Sequence, residues 1–361
     1  MRIILLLSLI LLFNHQSSGQ DSKLLPGFSK AEYSELLKIS TRQGDSLYNK
    51  DLPAPEKFTR AYRSSVMGLD NRWELRTAAD SIATISIRGT TLKLESWIEN
   101  FFAAMMPARG TINISDRQIY NYQLSSNPRA SVHTGWLIGS ILLFQDILPK
   151  IDSCLLNGIN DFYIIGHSQG GAIAYLMTSL IHDLKKRDEK YRDLTIKTYA
   201  SAAPKPGNLY YAYEYEALTQ NGWAFNVVNS ADWVPEGPFS IQTTDDYNML
   251  NPFKYIDVAL EKTSFPKNII LKHAYNQLDK PTKKANEKFN KYLGSYMTKQ
   301  IQNYLPDFVP PTFIESTNYV RVGQTVVLYA DDEYYKSFPN NEGEIWQHHK
   351  FEAYFYLLEK L

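Results

Sequence analysis

The chain has no excess of either charge and almost no cysteine. Its 361 residues include 38 Lys and Arg against 38 Asp and Glu, so the formal net charge is zero. Proteins that bind nucleic acid usually carry an excess of basic residues, so the balanced charge argues against a nucleic-acid-binding protein. Cys154 is the one cysteine, which excludes an intramolecular disulfide, and no group of Cys and His residues has the spacing of a zinc site. The content of hydrophobic residues, 44%, and of charged residues, 21%, is typical of a globular protein rather than a disordered one.

The first nineteen residues have the pattern of a secretory signal peptide. Arg2 precedes an apolar run at 3–13, and small polar residues lead to Gly19. A run of about 11 residues is too short to span a bilayer. We therefore expect residues 1–19 to be removed and residues 20–361 to form a single secreted or periplasmic domain. A buried N-terminal helix is the alternative.

Strands and helices alternate from about residue 80 to residue 230. The short apolar strand Phe162–Ile165 is typical of a strand buried on both faces of a parallel sheet. Helical patterns lie before it, at 135–153, and after it, at 168–185. The alternation predicts an α/β fold with a central, mostly parallel sheet flanked by helices. The other predicted elements are a hairpin at 71–87, strands at 196–200, 225–228 and 319–329, and helices at 29–46, 209–219 and 346–358.

A largely helical insertion, at about residues 238–304, precedes the last predicted strand. It contains a lysine-rich amphipathic stretch, Lys283–Tyr304, which predicts a solvated helix flanking the core. Contact with an anionic membrane surface is the alternative, and the zero net charge argues against a strong form of it.

The turn between the apolar strand and the following helix carries a G-x-S-x-G pattern, with Ser168 at its centre. A serine hydroxyl becomes a useful nucleophile when it is exposed beside a base, and a sharp strand-to-helix turn exposes it at the carboxyl end of the sheet. Gly166 and Gly170 relieve crowding there, and the helix N-terminus favours negative charge. A structural glycine-rich turn is the alternative. We expect His167 to point away from Ser168 and to be structural.

Six further motifs lie in a fixed order around this turn. They are Ile87–Thr91 followed by Trp97, Val132–Trp136, Pro204–Asn208, Asn229–Pro235, Tyr319–Gly323 and His349–Tyr354. Together with the serine turn they resemble the class 3 lipases, the fungal-lipase-like branch of the α/β-hydrolases. The resemblance spans about 71–232 and resumes at 319–358, and it implies an α/β-hydrolase fold. Arg321 stands where the family often has histidine, and the insertion makes the chain long for the family.

The acid of a serine hydrolase is predicted to be Asp232. It follows the apolar strand 225–228, at the end of a sheet where sites of open α/β folds form. The resemblance is the main support for this role. Asp245 and Asp246 compete, without a clear strand before them, and a turn-capping aspartate is the structural alternative for Asp232.

The base is predicted to be a histidine near the end of the chain, because α/β-hydrolases place serine, acid and histidine in that order. His348 and His349 are adjacent, and on a helix their side chains point about 100° apart, so at most one faces Ser168. The spacing to Tyr354 favours His349. His273, in the insertion, is the remaining candidate.

Two amides are predicted to hold the oxyanion of the tetrahedral intermediate. The N–H of Gln169, directly after the nucleophile, is one. The resemblance implies that Thr90 supplies the other, through its amide and its hydroxyl. Thr90 as an ordinary turn residue is the alternative, and Arg88 is expected to hold the loop.

Apolar residues recur at helical spacing over Leu92–Pro107 and form one broad face. The resemblance places a lid here, a short helix that covers the nucleophile and opens at lipid surfaces. A helix that faces the core predicts the same pattern. The residues expected to line the lid or bind substrate are Trp97, Phe101, Phe102 and Met105, and Ile98 and Met106 share the face.

These observations together predict a secreted serine carboxylester hydrolase that cleaves lipid or other acyl esters through Ser168, Asp232 and His349. No metal or cofactor is implied, and the expected partner is an ester substrate, with transient contact at a lipid interface and a monomeric protein. An acyltransferase, a phospholipase A1 or a feruloyl-type esterase would use the same triad. A catalytically silent binding module with the hydrolase fold is the alternative outside enzymes.

Overall fold

The computed structural model describes residues 22–44 and 51–361, so the predicted signal peptide lies outside the described residues. The strands are β1 (Thr59–Arg63), β2 (Trp73–Thr77), β3 (Ile82–Ile87), β4 (Met105–Pro107), β5 (Arg109–Ser115), β6 (Gln118–Gln123), β7 (Ser131–His133), β8 (Asp161–His167), β9 (Thr195–Ser201), β10 (Gly207–Asn208), β11 (Ala224–Asn229), β12 (Tyr319–Val320) and β13 (Gln324–Leu328).

The helices are α1 (Lys30–Ser40), α2 (Leu94–Phe101), α3 (Thr134–Leu156), α4 (Gln169–Arg187), α5 (Leu209–Thr219), α6 (Ile256–Glu261), α7 (Lys267–Asn290), α8 (Met297–Ile301), α9 (Asp332–Ser337) and α10 (Phe351–Lys360). A π-helical segment, Lys291–Tyr296, joins α7 to α8, and a 3₁₀ turn, Gln347–His349, precedes α10. Across 22–44 and 51–361, no helix is both long and apolar enough to cross a membrane.

The central sheet has the strand order β1-β2-β3-β8-β9-β11-β13. The strands from β3 to β13 are parallel to one another, while β1, β2 and β3 pair antiparallel. Every residue of β8 is buried, as expected for a strand with helices on both faces. The predicted α/β fold with a mostly parallel sheet is confirmed.

Alternate side chains of the inner strands pack into two apolar cores, one on each face of the sheet. Ile164 packs in the core beneath α3 and α4, and its neighbour Ile165 packs in the core beneath α1 and α10. This alternation follows from the two-residue period of a strand. Because β8, β9 and β11 are parallel, the carboxyl ends of β8 and β11 lie at the same edge of the sheet, on either side of β9.

Two predicted helices differ at their ends. The first ends at Ser40, within the predicted range 29–46. The prediction that the last helix begins at 346 is wrong, because Lys350 has extended backbone (φ −66°, ψ 153°) and separates a 3₁₀ turn from α10. His349 therefore lies in that turn rather than on a helix.

The insertion is largely helical, as predicted, and contains α6, α7 and α8. Its later part flanks the core, because Ile301 is fully buried and Met297 is nearly so. The lysine-rich stretch 283–304 therefore packs on the protein, in line with the first of its two interpretations.

Candidate active site

Ser168 sits in a strained turn between β8 and α4. Its φ is +62° and its ψ is −132°, a region that non-glycine residues rarely occupy. A Cβ on Gly166 would lie 2.1 Å from the carbonyl group of Gly170, and a Cβ on Gly170 would lie 2.4 Å from the carbonyl oxygen of Ile87. Only glycine fits at these two positions, so the G-x-S-x-G spacing permits the tight turn that leaves Ser168 half-buried at the sheet edge.

Asp232 and His349 form a hydrogen-bonded pair although 117 residues separate them. His349 Nδ1 donates to Asp232 Oδ2 at 2.7 Å. The same oxygen accepts from the hydroxyl of Tyr354 at 2.8 Å, and Oδ1 accepts from the backbone N–H of Val234 at 3.0 Å. Because Nδ1 carries the proton, Nε2 of a neutral His349 is left with its lone pair. The pair has the geometry of a general base and the carboxylate that orients it.

His167 ties this pair to the serine turn. Its Nε2 is 2.9 Å from the carbonyl oxygen of His349, which can only accept, so Nε2 carries the proton. Nδ1 then accepts from the hydroxyl of Ser201 at 3.0 Å, and Tyr33 donates to that hydroxyl at 2.6 Å. Burial holds the pKa of His167 well below its usual range, so the ring is neutral. The ring centroids of His167 and His349 are 4.9 Å apart, which brings His349 next to the residue before Ser168.

The competing histidines have other surroundings. His348 contacts the hydroxyl of Tyr334 through Nδ1 and the amide oxygen of Asn340 through Nε2, each at 2.7 Å. Burial lowers its pKa. His273 is exposed on α7. Of these histidines, His349 is the one paired with Asp232.

The competing acids have structural partners. Asp246 Oδ2 accepts from the backbone N–H and hydroxyl of Thr243, and its Oδ1 accepts from Ser316. Asp245 lies 3.1 Å from Lys283 Nζ. These contacts fix the start of the insertion.

Thr90 and Gln169 lie side by side. The Thr90 hydroxyl donates to the side-chain oxygen of Gln169 at 2.9 Å, and a Cβ on Gly89 would lie 3.5 Å from Ser168 Cβ. The loop that carries Thr90 therefore packs against the serine turn. Arg88, expected to hold this loop, donates to the carbonyl oxygen of Asp70 at 2.5 Å and lies 3.1 Å from its carboxylate.

Asn100 supports Thr90 and was missed by the sequence analysis. Its Nδ2 donates to the Thr90 hydroxyl, and its Oδ1 accepts from Trp136 Nε1, both at 2.9 Å. His133 Nε2 is 3.1 Å from the Asn100 carbonyl oxygen. The Val132–Trp136 motif thus holds the end of α2 in place. The ten-residue spacing between Thr90 and Asn100 does not predict this contact from the sequence, because the two residues meet only through the turn that leads into α2.

The helix α2 covers part of the site with aromatic side chains. Trp97 packs on Phe101 and on Trp346, with ring centroids 6.2 and 5.7 Å apart, and Trp346 lies 5.7 Å from the His349 ring. The prediction of one helical face running through Met105 is wrong, because α2 ends at Phe101 and Met105 begins β4. Phe102 and Met105 are fully buried, so neither side chain can be part of an exposed helical lid.

A cavity of about 620 Å³ opens beside the turn that carries His349. The lining of the cavity includes Trp233, Asn340, Glu344, Ile345 and His348.

Among the described residues, no group of three or more His, Cys, Asp and Glu side chains could hold a metal ion.

The sheet order and the serine turn define an α/β-hydrolase fold. Residues 84–241 match the family model of class 3 lipases. The matched residues include the serine turn, Thr90 and Asp232.

Known relatives cover parts of the chain. Lipase ZK262.3 of Caenorhabditis elegans is 35% identical over 79 residues, which cover 22% of this chain and 20% of that protein. The match thus spans about a fifth of the length of this curated relative. Two solved structures of similar shape are the triacylglyceride lipase of Rhizomucor miehei and a triacylglycerol lipase of Penicillium expansum. The first is 20% identical with a TM-score of 0.41 and covers 58% of this chain and 76% of its own. The second is 15% identical with a TM-score of 0.43 and covers 58% of this chain and 74% of its own.

Proposed function

We propose that this protein is a serine carboxylester hydrolase of the lipase type. The hydrogen bond between His349 and Asp232, beside the strained turn of Ser168, is the observation that carries the proposal. The match of residues 84–241 to the class 3 lipase family supports the same chemistry.

In the proposed mechanism, Ser168 attacks the ester carbonyl while His349 Nε2 takes its proton. Asp232 orients the imidazole through Nδ1 and stabilises its cation. The backbone amides of Thr90 and Gln169 hold the oxyanion, and the loss of one such donor costs about 3 kcal/mol in the barrier. His349 then gives the proton to the leaving alcohol, and a water that it activates releases the acyl group.

The proposed substrate is a lipid or another acyl ester. The curated relative from C. elegans is named a lipase, which favours a lipid ester here as well. A phospholipase A1, a feruloyl-type esterase and an acyltransferase would use the same triad. A panel of esters that varies acyl length and head group, with added alcohol to reveal acyl transfer, separates these reactions by their products.

We also propose that α2 is a lid and that the protein is secreted. The contact between Trp97 and Trp346 supports the lid, because it links α2 to the turn that carries His349. The pattern of residues 1–19 supports secretion, and mass spectrometry of the secreted protein would identify its first residue.

A fluorophosphonate probe tests the triad. It should label the intact protein at Ser168, and Ser168→Ala should abolish the labelling. A correctly folded protein without labelling would instead favour a catalytically silent module.

A further inference from the structure

The segment 249–278, here called the tip segment, exposes an unusual number of apolar side chains. It contains α6 and the first half of α7. Nine of its large apolar side chains are between 47% and 85% exposed: Met249, Leu250, Tyr255, Val258, Phe265, Ile269, Ile270, Leu271 and Leu278. Monomeric soluble proteins rarely expose apolar patches of this kind unless a surface covers them.

The base of the tip segment is firmly attached to the protein. Arg129 donates to the carbonyl oxygens of Asp245 and Tyr247 at 2.9 and 2.8 Å, and the hydroxyl of Tyr210 donates to the carbonyl oxygen of Asp246 at 2.9 Å. At the other end, Phe289 near the end of α7 is 7% exposed. The exposed apolar residues therefore lie between two anchored ends.

The tip segment also lies in the most basic part of the chain. The tip segment holds four lysines and two acidic residues, a net charge of +2, and the rest of α7 with Lys291 adds five lysines and two acidic residues, in a chain whose total is zero. Lys254, Lys262, Lys267 and Lys272 are exposed among the apolar side chains. Exposed apolar residues mixed with lysines are typical of helices that lie in the interface of an anionic bilayer.

We propose that the tip segment is a docking surface for an anionic lipid membrane. The apolar side chains enter the boundary between head groups and acyl chains, and the lysines contact the anionic head groups. A second copy of the chain fits less well, because it would bring a surface of the same positive sign against this one. This surface is separate from α2 and does not depend on the proposed catalysis.

Vesicle sedimentation tests the docking surface. The full chain is mixed with vesicles of diether phosphatidylcholine, with or without diether phosphatidylglycerol, because ether lipids resist ester hydrolysis. We expect binding to the anionic vesicles that weakens in high salt. Phe265→Ser/Ile270→Ser should weaken binding about tenfold or more. The matched control is Leu156→Ser, which changes an 89% exposed leucine at the end of α3 and should bind as the wild type does.

Equal binding of the tip variant and the wild type would overturn the proposal. So would self-association of the wild type that the tip variant abolishes, since the occupant would then be a second copy. Turnover of a soluble ester should be the same in wild type and tip variant. A protein that binds vesicles but turns over no ester would contradict the proposed function and leave the docking surface standing.

A second, independent observation concerns Glu99 on α2. Its carboxyl is fully buried, and Oε2 accepts from Asn71 Nδ2 at 2.6 Å. A Cβ on Gly139 of α3 would lie 2.4 Å from Oε1, so the helix backbone encloses the group. Burial raises the pKa of Glu99 to about 8, against the hydrogen bond from Asn71. The carboxyl is thus mostly protonated at pH 7.

The helix that carries Glu99 contacts both Gln169 and Thr90, through Ser96 and Asn100. Gln169 Oε1 accepts from the hydroxyls of Thr90 and Ser96 at 2.9 and 3.3 Å, so its side chain is enclosed by α2 and the Thr90 loop. We infer that Glu99 is a positioning residue of the oxyanion site: its buried, protonated carboxyl anchors α2, whose Ser96 and Asn100 hold Gln169 and Thr90, and ionisation would loosen that anchor. This inference rests on the proposed function.

The pH profile of kcat tests the role of Glu99. The nearby charged groups are Asp70 and its partners Arg88 and Lys93, which keep their charges between pH 6 and 9. As the pH rises through about 8, the wild type should lose kcat because the carboxyl ionises. Glu99→Gln stays neutral, so it should keep kcat at neutral pH and lose this alkaline decline, with KM little changed.

The matched control is Glu95→Gln, on the same helix and less buried, which should keep the wild-type profile. An alkaline decline that persists unchanged in Glu99→Gln would overturn the inference. A fluorophosphonate assay at neutral pH separates the two proposals, since failed labelling of the wild type would count against the triad itself.

Discussion

Two adjacent histidines, His348 and His349, differ in the partners of their ring nitrogens. His349 Nδ1 binds the buried carboxylate of Asp232, whereas both nitrogens of His348 have neutral side chains as partners. A carboxylate at Nδ1 fixes the tautomer and stabilises the cation that a base forms. At the scale of single residues, this contrast decides which histidine suits the role of base.

We predict that His349→Ala lowers ester turnover about 10⁴-fold, because no other group takes the serine proton. The measurement is kcat on a soluble ester, with circular dichroism to verify the fold. His348→Ala is the matched control and should stay near the wild-type rate. The reverse ranking would assign the base to His348.

Tyr354 and His167 show how single side chains hold His349 and its partner Asp232. Tyr354 binds the Asp232 carboxylate, and His167 binds the backbone of His349. Each of these contacts joins a core residue to the site. The position of His349 is therefore set by buried groups from β8, from the turn after β11 and from α10.

At the scale of elements, α2 has two faces with different surroundings. Ile98 and Glu99 are buried against the protein, while Leu94 and Phe101 are 63% and 52% exposed. Trp97 connects the helix to Trp346 beside His349. A helix with an anchored face and an exposed apolar face suits a cover that responds to a lipid surface.

If α2 is a lid, the rate should rise abruptly once the ester exceeds its solubility limit, because the aggregate surface then covers the exposed apolar face. The measurement is initial rate against substrate concentration through that limit. Leu94→Ser/Phe101→Ser should reduce the rise and leave the rate on dissolved ester unchanged. A smooth saturation curve for the wild type would reject the lid.

At the scale of the whole molecule, a buried lysine joins the N-terminal segment to the central sheet. Lys197 on β9 is 1% exposed, and its Nζ contacts Glu32 of α1 at 2.5 Å and the carbonyl oxygen of Leu25 at 2.7 Å. The hydroxyl of Tyr199 donates to the same glutamate oxygen at 2.6 Å. The contacts cross more than 160 residues of chain and cover one face of the sheet.

We predict that Lys197→Ala lowers the free energy of unfolding by about 2–4 kcal/mol, since it removes a buried cation and leaves the partly exposed Glu32 without its charge partner. Urea denaturation measures the change. Lys190→Ala, which removes the more exposed pair with Asp152, should cost about 0–1 kcal/mol. Equal losses in the two variants would contradict a special role for the buried lysine.

The sequence by itself determined the α/β alternation, the serine turn and the helical insertion. These features arise from local patterns: buried strands of continuous apolar residues, helices of mixed polarity, and glycines at Gly166 and Gly170. It also pointed to Asp232 and His349 through the order of motifs.

Only the tertiary structure decided which groups meet. It ended α2 at Phe101, placed His349 in a turn, buried Glu99, and brought Gln169 against Thr90 and Ser96. It also left the apolar side chains of the tip segment exposed while it buried Phe289, Met297 and Ile301 of the stretch 283–304. Burial and contact depend on what packs from distant parts of the chain, and periodicity within one segment carries no information about that.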